Sequence, residues 1–378
     1  MNTKSNISIF CITDFWFPKI GGMERSIDNL CSTIPESFDV NVITKQDDLK
    51  NGFNFPYKVI KLHANNNDGY YQNALKIISS TLTPKIVHIF GFSFFWPEAQ
   101  ANFIEKISLL PNASIIIKVP TSGDASKYLL HTHKKIIDKI NCYIALTDAI
   151  SNELKKCGVK ESQIEKIPNG VRSNFYQSSL IKEKITARKK YHIKTNCLLM
   201  GFCGRFEHRK RIDVIINAVK GLYKENDIYL LLAGDTDNTF NNGIDIQKLK
   251  GENIIFLKEQ KDIRPFYSAI DIYISSSEAE GMSNSILEAM SCGLPIIASN
   301  IPGHKELIKP KKNGLLFKPG NILDAQKCII KALSQWKKNE LNNRGAESRK
   351  IIIERYDQFL ITKKYAKIYN KIIFQKIN

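Results

Sequence analysis

No apolar run in this sequence approaches the ~20 residues that a membrane-spanning helix needs. The start, MNTKSNISIFCITDFWF, has an apolar core of only six residues before Asp14, so it reads as a first strand rather than a signal peptide. The eight cysteines form no CxxC pair, which argues against a structural zinc. Most sit inside apolar runs, where a thiol serves as a small hydrophobe, and that usage suits the reducing cytoplasm. Long tracts of hydrophobic or charged residues are also missing. At 43% hydrophobic and 24% charged, the composition excludes a disordered or fibrous chain. Acidic residues are the scarce charge: 37 against 55 basic, a net charge of +18.

That excess is unevenly placed. Residues 1–178 hold 20 basic and 16 acidic residues, leaving 35 and 21 for residues 179–378. A basic surface attracts anions in general, so nucleic acid, an acidic membrane and phosphorylated small molecules all stay open on charge alone. At 378 residues the chain suits two domains of roughly 150 to 200 residues each. In the first half the runs ISIFCI, DVNVIT, IVHIF, SIIIKV and CYIAL alternate with helical stretches. After IPNGV and a polar basic segment, 173–196, the alternation restarts with CLLMGFCGR, IYLLLAGD, IIFLKE, DIYISSS and LPIIAS. Continuous apolar runs between helices predict an α/β fold of two doubly wound parallel sheets joined near residues 172–196. Ligands of such sheets bind beyond the carboxyl ends of the strands, so the loops that follow strands carry the chemistry.

Two of those loops stand out. In GFCGRFEHRKR, Arg205 follows Gly204 and Lys210 comes five residues later, just before RIDVII. A planar guanidinium fork and a flexible ammonium can embrace a diphosphate from two sides, although a solvated basic loop would show the same residues. In SSSEAEGMSNSILEAMSCGLPIIAS a helix is predicted to start near Asn284, capped by Ser283 or Asn284. The backbone N–H groups of Gly281, Met282, Ser283 and Asn284 then surround a helix N-terminus, a ready phosphate site. Glu288, one turn inside, can accept from a ribose diol, and Glu280, on the strand side, can reach sugar hydroxyls.

These elements together resemble the retaining glycosyltransferases of the GT-B type, family GT4. The matching pieces are PKIGGMERSI, PNGV, GR with Lys210, and Glu280 and Glu288 within EGMSNSILEAMSCGLPIIAS, supported by DIRPFYSAIDIYISSS and PGHKELIKPKKNGLLFKPG. The resemblance covers about residues 9 to 336. It implies GT-B architecture, two Rossmann-like doubly wound domains facing each other across a cleft: 1–178 on the acceptor side, 179–355 binding the nucleotide sugar, and 356–378 a helix packing back on the first domain. It implies that Arg205 and Lys210 hold the donor diphosphate and Glu288 the ribose. Glu280 and the Gly281–Asn284 backbone would take the donor sugar and its β-phosphate, while Gly21 and Gly22 would let the first domain approach that phosphate. Glu280, Arg205 and Lys210 are thus the catalytic candidates. No metal and no cofactor are implied, because cations and a helix terminus stabilise the departing diphosphate. Transfer would proceed at the front face with retention, from a UDP-sugar as first expectation, to a hydroxyl of a glycan or lipid-linked glycan, in bacterial surface polysaccharide synthesis. A non-catalytic nucleotide-sugar binder and a phosphorylase of similar architecture are the rival readings.

The chain departs from the family pattern in one place. Many relatives have a histidine in the loop after the strand equivalent to SIIIKV; here the loop reads PTSGDASKY, and Asp124 is the substitute contact to the sugar or acceptor. His88 matches a histidine often seen one strand earlier, or is a satisfied core residue. A metal-binding alternative rests on Asp235 and Asp237 in GDTDN, which equally suit a turn. On the acceptor side, FGFSFFWPEA gathers aromatic residues, and SKYLLHTHKKIIDKI intersperses lysines with apolar residues. The second pattern fits a helix lying on an anionic membrane as well as an ordinary surface helix. The expected place is therefore the cytoplasm, with peripheral association at the inner face of the plasma membrane. No nucleic-acid module is present, so nucleic acid is not an expected partner.

Overall fold

The computed structural model describes residues 7–14, 16–17, 21–45, 54–63, 67–93, 96–223, 227–234 and 249–377. The chain forms two compact units, one of Met1–Gly170 with Gln358–Asn378, the other of Val171–Asp357. Each is built on one parallel sheet. In unit 1 the strands are β1 (Ile7–Ile12), β2 (Phe38–Lys45), β3 (Lys58–Leu62), β4 (Lys85–Phe90), β5 (Ala113–Val119), β6 (Cys142–Ala145) and β7 (Ile164–Lys166). They lie in the order β3-β2-β1-β4-β5-β6-β7. In unit 2, β8 (Leu198–Cys203), β9 (Ile228–Ala233), β10 (Ile254–Leu257), β11 (Ile272–Ser275), β12 (Ile296–Ser299) and β13 (Gly314–Phe317) lie in the order β10-β9-β8-β11-β12-β13. The observed class is the α/β doubly wound one that the alternation predicts.

Among the described residues, helices between most successive strands cover the sheets, and β4, β5 and β8 are buried at every residue. That is why they read as unbroken apolar runs and not as alternating ones. The strand order reverses between β1 and β4 in unit 1 and between β8 and β11 in unit 2. At such switch points the following loops diverge and leave a crevice.

The last helix, Gln358–Ile377, belongs to the core of unit 1. Its Ile361, Tyr365, Tyr369, Ile372 and Ile373 pack with Ile9, Cys11, Ile27, Leu30, Phe38 and Phe90. The Tyr369 hydroxyl lies 2.7 Å from His88 Nδ1, and the imidazole stacks on Phe90 with centroids 4.0 Å apart. Burial, and secondarily the Lys118 charge, holds His88 well below the usual histidine range, so it is neutral. Its other ring nitrogen, Nε2, is buried without a hydrogen-bond partner among the described residues, so His88 is a core residue satisfied at one nitrogen only.

Lys118, on β5, is 4% exposed. Its ammonium donates to Ser26 Oγ at 2.6 Å and to Asn169 Oδ1 at 2.8 Å, joining the first helix (Gly22–Cys31) to the PNGV turn. Burial brings its pKa down to about 7 from 10.5. Below about 7 the cost of the buried charge is fully present. As pH rises towards 10.5 the unfolded chain binds more protons than the folded one, and stability increases. The melting temperature of the parent is therefore expected to gain on that of Lys118→Met between pH 7 and pH 10. A constant difference would contradict the assignment.

The polar segment 173–196 is an integral part of unit 2. It carries the helix Ile181–Lys190, from which the buried Arg188 reaches under the sheet. Its guanidinium bonds the Ala269 carbonyl at 2.9 Å, the Thr195 carbonyl at 2.7 Å and Asp271 Oδ2 at 2.7 Å. Asp271 in turn accepts from the Leu199 amide at 2.7 Å. A buried ion pair with its remaining lone pairs satisfied in this way fixes geometry more than it adds stability.

Candidate active site

The switch point of unit 2 brings the two singled-out loops together. After β8 the chain turns at Gly204, whose φ is +151°. A Cβ on Gly234, at the end of β9, would lie 2.2 Å from the Gly204 carbonyl oxygen, so this approach of two strand ends requires glycine. A short 3-10 turn, His208–Lys210, then delivers Lys210. After β11, residues 276–283 run to the helix Asn284–Ser291, capped by Ser283 Oγ, which accepts from the Ile286 amide at 3.4 Å.

Across these loops Lys210 Nζ forms an ion pair with Glu280 Oε1. Glu280 Oε2 lies 3.6 Å from an Arg209 guanidinium nitrogen, and the Ser277 hydroxyl donates to Oε1 at 2.9 Å. Burial alone would raise the Glu280 pKa, but the Lys210 and Arg209 cations outweigh it and bring the carboxyl down to about 2. Arg205, 43% exposed, pairs with Glu207 at 3.0 Å, and the same carboxylate takes Arg209 at 2.7 Å. Three cations and two carboxylates therefore gather at the ends of the neighbouring strands β8 and β11, with a helix N-terminus beside them.

Glu288 lies inside that helix and is 4% exposed. Its Oε2 accepts from the Tyr267 hydroxyl at 2.7 Å, and Tyr267 also lies 3.1 Å from Cys203 Sγ. The Tyr273 hydroxyl lies 3.1 Å from the Cys203 carbonyl oxygen and 2.8 Å from Ser285 Oγ. The two tyrosines thus tie the end of β8 to the helix that carries Glu288. Behind the loop, a Cβ on Gly303 would come within 2.6 Å of the Glu280 and Gly281 carbonyl oxygens. The adjacent His304 is buried with Nδ1 2.9 Å from the Ser299 carbonyl, and burial lowers its pKa to about 4 despite the Glu280 charge.

Of the predicted site residues, Arg205, Lys210, Glu280, Gly281, Met282 and Ser283 thus lie on two loops that meet at one switch point, and Asn284 and Glu288 on the helix that the second loop enters. Sequence reasoning missed Arg209, Glu207, Ser277 and Tyr267. Arg209 and Glu207 were legible as neighbours of Lys210; Tyr267 becomes a partner of Glu288 only through folding.

Gly21, Gly22 and Asp124 are in unit 1. Gly21 caps the helix Gly22–Cys31 with an extended φ of −128°, which any residue can adopt. Asp124 opens the helix Asp124–Leu129, after Gly123 at φ +98°. Glu153 fastens this turn, accepting from the Gly123 amide at 2.8 Å and the Ser126 amide at 2.7 Å. The stretch SKYLLHTHKKIIDKI is not one helix. It ends the helix at Leu129 and resumes as a 3-10 segment, Lys134–Lys139. Its Tyr128, Leu129, Ile136 and Ile140 are buried, leaving Leu130 half exposed, while Lys135 and Lys139 pair with Glu105. The apolar side that a membrane reading needs is turned inward. No helix among the described residues is long and apolar enough to cross a membrane. Asp235 and Asp237 lie outside the described residues.

Fold and site define a class: a two-unit, doubly wound α/β protein with cations and a helix N-terminus gathered at one switch point, a setting for a phosphate-bearing ligand. Comparison with known proteins narrows it. Residues 183–350 match the family of group 1 glycosyl transferases and residues 20–175 match glycosyltransferase family 4. The chain belongs to this family of glycosyltransferases, which have the GT-B fold. It is 24% identical to the uncharacterized glycosyltransferase MJ1069 of Methanocaldococcus jannaschii, over 97% of this chain and 99% of that protein. It is 25% identical to the lipopolysaccharide core biosynthesis glycosyltransferase LpsE of Rhizobium meliloti, over 93% and 99%. Anabaena HepE, solved with UDP-glucose, superposes with a TM-score of 0.77 at 15% identity, covering 96% of this chain and 99% of HepE.

Proposed function

We propose that this glycosyltransferase moves a sugar from a nucleoside-diphosphate sugar, a UDP-sugar in the first instance, to a hydroxyl of a glycan or lipid-linked glycan, with retention of configuration. The observation that carries this reading is the unit 2 switch point, where Arg209 and Lys210 meet Glu280 beside the N-terminus of Asn284–Ser291 and Arg205 pairs with the adjoining Glu207. A diphosphate arriving there gives Lys210 and Arg205 a stronger anionic partner than Glu280 and Glu207. The first-turn amides from Gly281 to Asn284 face the same charge. Glu280 then turns to hydroxyls of the donor sugar, and Glu288, held by Tyr267, accepts from the ribose. As the bond to the sugar breaks, negative charge grows on the leaving phosphate, and cations already in place stabilise it without reorganisation. Gly21, Gly22 and Asp124 are assigned to substrate binding on resemblance alone. The UDP-glucose bound by HepE supports the choice of donor, and the role named for LpsE supports a place in surface polysaccharide assembly.

The test is direct. Among UDP-, GDP- and ADP-sugars, a UDP-sugar should raise the melting temperature most, because a ligand bound only by the folded form stabilises it. The same compound should release UDP on turnover. Release is expected to continue in excess EDTA and in Asp235→Asn, since the cations of the site replace a metal. Turnover that chelation abolishes and Mg²⁺ or Mn²⁺ restores would overturn the metal-free mechanism. Absence of both stabilisation and turnover with every nucleotide sugar would overturn the donor reading.

A further inference from the structure

Arg211 follows Lys210 directly and adopts φ 47°, ψ 45°, the left-handed region that residues with side chains seldom occupy. The other described non-glycine residues with positive φ are His192 and Asn339. Both follow the ends of α-helices, where this conformation is ordinary. Arg211 closes the short 3-10 turn His208–Lys210 and directly precedes the helix Ile212–Tyr223, at the end of the site loop. Its side chain makes a bridge. Nε and a terminal nitrogen each lie 3.0 Å from an Asp213 oxygen, and the other terminal nitrogen pairs with Glu278. Its carbonyl accepts from Ser276 Oγ at 2.6 Å, and the same hydroxyl is 2.9 Å from the Lys210 carbonyl. The Glu278 amide donates to the Arg209 carbonyl at 2.9 Å. The segment carrying Lys210 is therefore stitched to the segment carrying Glu280 by backbone, hydroxyl and ionic contacts, two of them made by Arg211.

We propose that Arg211 is a positioning residue for the diphosphate site: its left-handed backbone and its Asp213–Arg211–Glu278 bridge hold the Lys210 ammonium where the donor phosphates bind. This deepens the donor reading above and rests on it. Lys210 has a flexible stem, and a charge placed loosely contributes little to binding a defined anion. The bridge fixes the backbone from which that stem projects, with the Arg211 guanidinium engaged by two carboxylates.

The experiment compares UDP with uridine by calorimetric titration, in the parent, Arg211→Gly, Glu278→Gln and the double variant. Glycine accepts the left-handed backbone and deletes the bridge, so the fold survives; thermal melting verifies this. Arg211→Gly and Glu278→Gln should each weaken UDP binding roughly tenfold, as a charge-assisted contact loses its geometry. Uridine affinity should stay at the parent value, and the double variant should bind UDP no more weakly than Arg211→Gly, because both changes break one bridge. UDP affinities within twofold of the parent in both single variants would overturn the role, as would an equal loss for uridine, which marks a general structural effect. A parent that binds UDP no more tightly than uridine would overturn the diphosphate reading and the role of Arg211 with it.

Discussion

Lys210→Ala is expected to lower the turnover number about 10²-fold or more while the protein stays folded, the scale seen when one preorganised charge-stabilising donor is removed from a transition state. The ammonium is held by Glu280 at a strand end next to a helix N-terminus, so it is in place before charge develops on the leaving phosphate. The variant should also reveal the coupling of the pair. In the parent the Glu280 carboxyl is depressed to about 2 from an ordinary 4.5. Its contribution to stability is therefore complete above about 4.5 and is lost as pH falls towards about 2. Without Lys210, burial pushes the same carboxyl upward against the weaker opposition of Arg209 and His304, so the acid limb of unfolding should move to higher pH. Measuring nucleoside diphosphate release and acid melting on one preparation separates the two effects. Unchanged turnover in Lys210→Ala would remove the central catalytic assignment.

Glu288→Gln should weaken UDP binding by roughly 10- to 100-fold, the range for losing hydrogen bonds to a charged group. The amide is close to isosteric, so the helix Asn284–Ser291 is retained. The carboxylate is buried and fixed by the Tyr267 hydroxyl at 2.7 Å, which leaves it an acceptor of defined direction. If its partner is the ribose, the penalty for 2′-deoxy-UDP relative to UDP, clear in the parent, should shrink in the variant. Titrating both nucleotides against both proteins completes a double cycle that isolates this one contact. The same 2′-deoxy penalty in parent and variant would assign Glu288 to the scaffold instead.

Much of this was readable from residues alone because it depends on local order. A buried parallel strand must be apolar on both faces, so β4, β5 and β8 announce themselves as runs. The start of Asn284–Ser291 follows from a capping serine ahead of an apolar helical segment. The spacing of Arg205 and Lys210 after an apolar strand is likewise a one-dimensional signal. Other features are invisible in one dimension. Tyr267 and Glu288 are 21 residues apart and meet because the sheet places their elements side by side. Lysines and apolar residues in SKYLLHTHKKIIDKI mimic a surface helix, yet the chain breaks at Leu129 and spends the apolar side chains on the core. Nothing around His88 in the sequence announces Tyr369, 281 residues away, whose hydroxyl lies beside its Nδ1.

By itself, then, the sequence determined the two doubly wound sheets and the kinds of group offered at their strand ends, since hydrophobic runs, turn residues and caps act over a few neighbours. Only the tertiary structure decided which groups are joined: Lys210 to Glu280, Arg205 and Arg209 to one Glu207, Arg211 to Glu278. The physical reason is that ion pairs and hydrogen bonds act across a few ångströms of space: Lys210 and Glu280, or Arg211 and Glu278, are tens of residues apart in the chain, and even within one loop the backbone path decides which neighbours share Glu207.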